Sequence, residues 1–258
     1  MNSPYCGKPS SLGVSLQPSI MTQTAKAIIS HNTLQLLDLS NFFDFDKSLK
    51  AILTAPIDFS QVRRLIISGS TIDSFAFLNH FPSLKQLSFL ACESDKWSDL
   101  KGNASIISLR LHNLKQKKKY LSSIGFVLTF PNLEYLYVNM LGLNNFSELR
   151  GLKNLHTIFA QCRNGNDIKA QFDFSALEFV PKLKVLSIWM AVDRHRIPAE
   201  SLIPVLNNPS VSHIVVTQMY TTEEKKLKKL MEEINPTLLQ TFISEEELQI
   251  INKQHFAW

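Results

Sequence analysis

Eight copies of one pattern, three large apolar side chains spaced as LxxLxL, run through this chain and restrict what it can fold into. The copies are LQLLDL from Leu34, VRRLII from Val62, LKQLSF from Leu84, IISLRL from Ile106, LEYLYV from Leu133, LHTIFA from Leu155, LKVLSI from Leu183 and VSHIVV from Val211. Of the 24 template positions 23 are large and apolar, the exception being Ala160. A register placed at random on a chain that is 45% hydrophobic would score about eleven. Successive copies start 28, 22, 22, 27, 22, 28 and 28 residues apart, so a structural unit recurs and not merely a composition. A ninth, degenerate unit fits at Leu238, where Asn235-Pro236-Thr237-Leu238 echoes Asn208-Pro209-Ser210-Val211 and Thr241 and Ile243 take the later slots.

One such unit cannot stand alone. Burying its three inward side chains contributes about 1.5–3 kcal/mol each, less than the entropy of ordering some two dozen residues at about 1–2 kcal/mol apiece, so every unit relies on its neighbours. The ends then need covers. Residues 21 to 33, with Ile28 and Ile29, are expected to form an N-terminal cap, and residues 244 to 258 a C-terminal capping helix opened by the Ser244/Glu247 capping box and carrying Leu248 and Ile251. Residues 222 to 234 predict an outer helix with Leu227, Leu230, Met231 and Ile234 on one stripe. Pro198 suits the first turn of another, carrying Leu202, Val205 and Leu206. The longer intervals are therefore expected to hold helices on the outer face.

Several units are entered through an apolar-Pro-x-Leu step, as in Phe81-Pro82-Ser83-Leu84, Phe130-Pro131-Asn132-Leu133 and Val180-Pro181-Lys182-Leu183, and another through Gly151-Leu152-Lys153-Asn154-Leu155. Proline ends a helical piece and turns its neighbour toward extended backbone. With these steps the chain resembles the leucine-rich-repeat family over about residues 34 to 243. The resemblance implies an α/β solenoid, a right-handed horseshoe with a concave parallel β-sheet and a mixed helical and irregular convex side. One departure matters. The family usually places Asn or Cys eight residues into the unit; here those positions are Phe42, Ser70, Cys92, Leu114, Leu141, Arg163, Ala191 and Met219, while Asn41 and Asn113 fall one residue early. Irregular turns are expected.

Composition narrows the function. With 19% charged residues the chain lacks the signature of disorder, although residues 1 to 20, with Pro4, Pro9 and Pro18 among serines, read as a flexible leader. They lack the apolar run of a secretory signal, and no stretch approaches the length of a membrane span. Cys6, Cys92 and Cys162 form no CxxC pair and suggest reduced thiols in a cytoplasm, which makes the glycosylation sequons at Asn103 and Asn145 accidental. The net charge of +5 includes one dense run, Lys115, Lys117, Lys118 and Lys119, which reads as a solvated loop rather than a nucleic-acid or nuclear-import segment. There is no GxxxxGK, GxGxxG, HExxH or GxSxG motif, so no enzyme, cofactor, metal or small-molecule substrate is expected. Asp193-Arg194-His195-Arg196 has the composition of an anion grip but reads as a solvated loop.

In an LxxLxL strand the third, fifth and seventh residues point away from the core. Across the units these places set out a surface carrying Arg64, Ile66, Arg110, His112, Tyr135, Tyr137, Phe159, Trp189 and His213. Aromatic residues and arginine are what interface hot spots favour, which makes this band a candidate for holding another protein on the concave face. Two readings stand side by side: the centre of a docking surface, or part of the core beneath a C-terminal helix or leader folded over it. On the first, alanine at Tyr137 and Phe159 together removes partner binding and leaves stability nearly unchanged. The chain is then a non-enzymatic binder, an inhibitor or immunity-type protein that neutralises a toxin or effector, or alternatively a substrate-recruiting adaptor in a larger complex.

Overall fold

The computed structural model describes residues 12–16, 34–40, 45–54, 58–141, 143, 145–163, 173–190, 197–217 and 219–240. All eight repeat copies lie on parallel strands: β2 (Leu34–Ser40), β3 (Arg64–Ser68), β4 (Gln86–Leu90), β5 (Ser108–His112), β8 (Tyr135–Leu141), β9 (Thr157–Arg163), β10 (Val185–Met190) and β11 (His213–Thr217). They pair in chain order without a register shift, so that Leu37, Leu65, Leu87, Leu109, Leu136, Ile158, Leu186 and Ile214 form one row across the sheet. Every template position is buried except Val216, which is partly buried against the same core. A repeated strand, a repeated turn and a repeated return make this an α/β solenoid built on a parallel sheet.

A ninth strand, β1 (Leu12–Leu16), pairs with β2 and completes a sheet of nine strands. It falls inside the segment expected to be a flexible leader and corrects that expectation for these five residues. Its register sets Leu12, Val14 and Leu16 opposite Leu34, Leu37 and Leu39, the three template positions of β2. The two caps, and Thr241 and Ile243 of the degenerate unit, lie outside the described residues. Leu238 of that unit is buried and sits in a 3-10 helix, Pro236–Gln240.

The return segments follow a second rule, of period three. Buried apolar residues recur as Phe75, Leu78, Phe81 and Leu84; as Ile124, Val127, Phe130 and Leu133; as Phe146, Leu149, Leu152 and Leu155; and as Phe174, Leu177, Val180 and Leu183. Each set accompanies a 3-10 helix, at Ala76–His80, Gly125–Thr129, Ser147–Gly151 and Ser175–Phe179, because side chains three apart eclipse on that helix and face the core together. A polar residue opens each turn by accepting an N–H two residues on: Ser74 from Ala76, Ser123 from Gly125, Asn145 from Ser147 and Asp173 from Ser175. Phe146 and Phe174 stack at 5.4 Å, and Trp97 stacks on Phe126 at 5.5 Å while its Nε1 donates to Lys115 O (2.8 Å). Asn208 takes the place of one of the apolar residues and is buried. Its Nδ2 donates to the carbonyls of Leu177 (2.7 Å) and Val180 (2.9 Å), so burying the amide leaves its donors satisfied.

Only some of the longer intervals hold α-helices. Helix α1 (Phe45–Leu53) fills the first, 3-10 helix Ala199–Leu202 continuing into α2 (Ile203–Asn207) lies in another, and α3 (Thr221–Ile234) follows β11. Leu227 and Met231 of α3 are buried and Leu230 and Ile234 pack against the core, as the stripe predicts. Pro198 caps the 3-10 helix from just outside it instead of occupying its first turn. The interval from Ile106 to Leu133 departs from expectation: its extra residues form a hairpin of β6 (Lys115–Gln116) and β7 (Lys119–Tyr120), with no helix longer than the 3-10 turn.

The turns after β3, β4 and β5 are regular where irregular ones were expected. Gly69, Ala91 and Asn113 occupy the same place and share positive φ values of 62°, 53° and 49°. Their N–H groups donate to Leu90 O (2.8 Å), His112 O (2.7 Å) and Asn139 O (2.7 Å), which extends the ladder around the bend. Asn113 is thus the turn residue itself, since asparagine tolerates left-handed backbone better than most. Cys92 follows the bend with its Sγ 3.3 Å from Ile67 O, and burial pushes the thiol up to about 11. With serine at Cys6 and Cys162, the remaining thiol is expected to resist a disulfide reagent at pH 8 in the folded protein and to react fully in denaturant. Rapid reaction of the native protein would contradict the buried turn.

Candidate functional site

The outward residues form three rows across the open face of the sheet. The first runs Leu36, Arg64, Gln86, Ser108, Tyr135, Thr157, Val185 and His213; the second Asp38, Ile66, Ser88, Arg110, Tyr137, Phe159, Ser187 and Val215; the third Ser40, Ser68, Leu90, His112, Asn139, Gln161 and Trp189. The register therefore joins Arg110, Tyr137 and Phe159 as direct neighbours, with Tyr135 beside them one row away and Trp189 one strand further on. Arg64 and Ile66 on β3 are three strand spacings from β8, about 14 Å at the usual separation, and do not join the band. His112 stands in the third row beside Asn139, and His213 in the first beside Val185.

Phe159 and Val185 form an apolar cluster distinct from the main core, with Tyr135, Tyr137 and Val215 packed against it. Val185 and Val215 were not among the residues singled out. Their signal was available as β-branched apolar residues at outward places on neighbouring strands, where a solvated sheet would carry polar ones. The face also buries polar groups: Ser108, Arg110, Asn139 and Thr157 are each 5% exposed or less. The Arg110 guanidinium lies over the Tyr137 ring, 4.6 Å from its centroid. Burial lowers its pKa, and Tyr137 opposes that shift. Tyr137 Oη donates to Gln161 Oε1 (3.4 Å), which also accepts from Asn139 Nδ2. Burial, helped by Glu134, raises the Tyr135 phenol. The His156 ring is 6.2 Å from that of Tyr135 and is pushed toward its neutral form by burial and Lys184, against Glu134.

Trp189 differs from its neighbours. It is 55% exposed, the most exposed of the large hydrophobic residues among those described. The arrangement offers aromatic area and hydrogen-bonding groups; hydroxyls meet imidazoles only between sequence neighbours among the described residues, Ser212 Oγ 2.7 Å from His213 Nδ1 and Thr157 Oγ1 3.2 Å from His156 Nδ1. Among the described residues no group of three His, Cys, Asp or Glu could hold a metal ion. No described helix is long and apolar enough to cross a membrane. Asp193 to Arg196 lie outside the described residues. A cavity of about 320 Å³ opens in the segments after β3 and β4, lined by Asp73, Phe75, Lys96 and Asp99 among others, away from the aromatic cluster.

No protein-family model matches the sequence, and neither does any curated protein. Among solved structures, internalin C2 from Listeria monocytogenes strain 4b F2365 is similar over 57% of this chain and 57% of its own, at 16% identity and a TM-score of 0.39. The repeat assignment rests on the register of this chain's own strands.

Burial changes what the paired alanine substitution of Tyr137 and Phe159 would do. Phe159 is only 7% exposed, so Phe159→Ala is expected to lose about 3–5 kcal/mol of stability, whereas Trp189→Ala shifts it by about 1 kcal/mol or less. Denaturant unfolding of both variants checks this; equal losses would contradict the division of the face into a buried cluster and an exposed anchor.

Proposed function

We infer that this chain is a non-enzymatic binding module that holds another protein against the open face of its sheet, around Trp189 and the Tyr135, Tyr137, Phe159, Val185 and Val215 cluster. The observation that supports the reading most directly is Trp189, a large aromatic side chain 55% exposed on a sheet face beside a second apolar cluster. Such a surface resembles the centre of a protein interface, where a rigid aromatic anchor is surrounded by packed neighbours that exclude water. Arg110 and Asn139 fit the same picture, since groups already desolvated within the face lose little further hydration when a partner arrives.

The finer reading is that of an inhibitor or immunity-type protein that captures and neutralises its target. A sequence pI of about 9.0 favours an acidic or neutral target, because long-range charge steers encounter.

Capture from a lysate of the native host tests the site. Wild-type protein should retain one or a few proteins that Trp189→Ala and Val215→Asp lose and that Leu128→Ala, an exposed residue of a 3-10 turn, keeps. Loss of the same proteins with all three variants, retention with all three, or a large drop in the melting temperature of Trp189→Ala would each overturn the reading.

A further inference from the structure

We propose that the hairpin β6–β7 is a second docking element, a rigid cationic tip that takes an acidic segment of a partner protein. It stands at the carboxyl end of β5, off the sheet face, and does not rest on the reading of the aromatic cluster.

The tip is built against local preference. Lys115 pairs with Tyr120 and Gln116 with Lys119, which leaves a two-residue loop with both central residues at positive φ, Lys117 at 49° and Lys118 at 61°. Such a turn suits Asn-Gly, and lysine has neither glycine's freedom nor the short side chain that eases asparagine into it. An outlier of this kind persists only where its surroundings hold it. Here two carboxylates from the preceding unit do so: the Lys117 N–H donates to Asp95 Oδ1 (2.9 Å) and the Lys118 N–H to Glu93 Oε1 (2.8 Å). Gln116 Nε2 adds a bond to Asp95 O (3.1 Å).

Those carboxylates grip the backbone and not the ammonium groups. Among the described residues the ion pairs involve Lys226, Lys228 and Lys229, and none involves Lys117, Lys118 or Lys119, all of which are exposed. Lys115 Nζ lies 5.2 Å from the Tyr120 ring centroid. The result is a set of ammonium groups on a backbone of fixed shape, an arrangement that lowers the ordering cost of meeting several carboxylates at once. The patch is small, with Glu93 and Asp95 beneath it, whereas duplex nucleic acid is held at physiological salt by many phosphate contacts along a stripe. Lysine also supplies point charges and not the planar fork that suits phosphate best. An acidic polypeptide segment matches both the size and the chemistry.

Fluorescein-labelled deca-glutamate, titrated by anisotropy at low and at physiological ionic strength, is the probe. Lys117→Asn with Lys118→Gly restores the favoured turn dipeptide and removes two charges, so its melting temperature should equal or exceed that of the wild type. Its affinity for the peptide should fall roughly tenfold. Lys117→Gln with Lys119→Gln should show the same loss without relying on the new turn. Lys153→Gln with Lys225→Gln removes two exposed charges elsewhere and should bind as the wild type does, as should Trp189→Ala, which separates this site from the sheet face. An equal loss with the Lys153/Lys225 control, no loss with either hairpin variant, or tighter binding of a mixed-sequence DNA duplex than of the peptide would overturn the proposal.

Discussion

Everything in this molecule depends on units stacking in register. Leu37, Leu65, Leu87, Leu109, Leu136, Ile158, Leu186 and Ile214 meet as a single row because parallel pairing carries each strand onto the next without slippage. A shift of one residue would turn the whole apolar set of a strand outward, so the hydrophobic core and the backbone ladder enforce the same alignment. The bends at Gly69, Ala91 and Asn113 extend that agreement beyond the strands, since each donates its N–H to the following unit.

The strands were legible because a triplet repeated eight times leaves little freedom of register. The period-three rule of the return segments was present too, in FxxLxxFPxL and its variants, but a pattern of four residues reads as noise until a 3-10 helix gives it a reason. Strand β1 was harder to see. Leu12, Val14 and Leu16 pair with the template positions Leu34, Leu37 and Leu39, but the register shift between Leu12 and Gly13 shortens the spacing by one residue, so LGVSL does not read as LxxLxL. The β6–β7 hairpin was illegible for a chemical reason: Lys-Lys is not a turn dipeptide, and only the carboxylates of Glu93 and Asp95, some two dozen residues earlier, make it one.

The face opposite the core was legible in direction and not in depth. Alternation places Phe159, Val185 and Trp189 on the same side, but whether a side chain there is covered depends on how tall its neighbours stand on adjacent strands. Phe159 sits between Tyr137 and Ser187 and is buried, whereas Trp189, near the end of β10, is largely open. Arg64 and Ile66 share the face but not the cluster, because a sheet sets distance by strand count. The basic hairpin adds a feature of different chemistry beyond the carboxyl end of β5, so the apolar cluster and the exposed lysines sit on separate parts of the chain.

Amide hydrogen exchange resolved residue by residue tests the stacking directly. The account predicts slow exchange along the rows of β3 to β11, and at Gly69, Ala91 and Asn113 despite their place in turns, because those N–H groups bond to the next unit. Fast exchange at all three bends, or protection following a helical i to i−4 pattern through the LxxLxL segments, would contradict it.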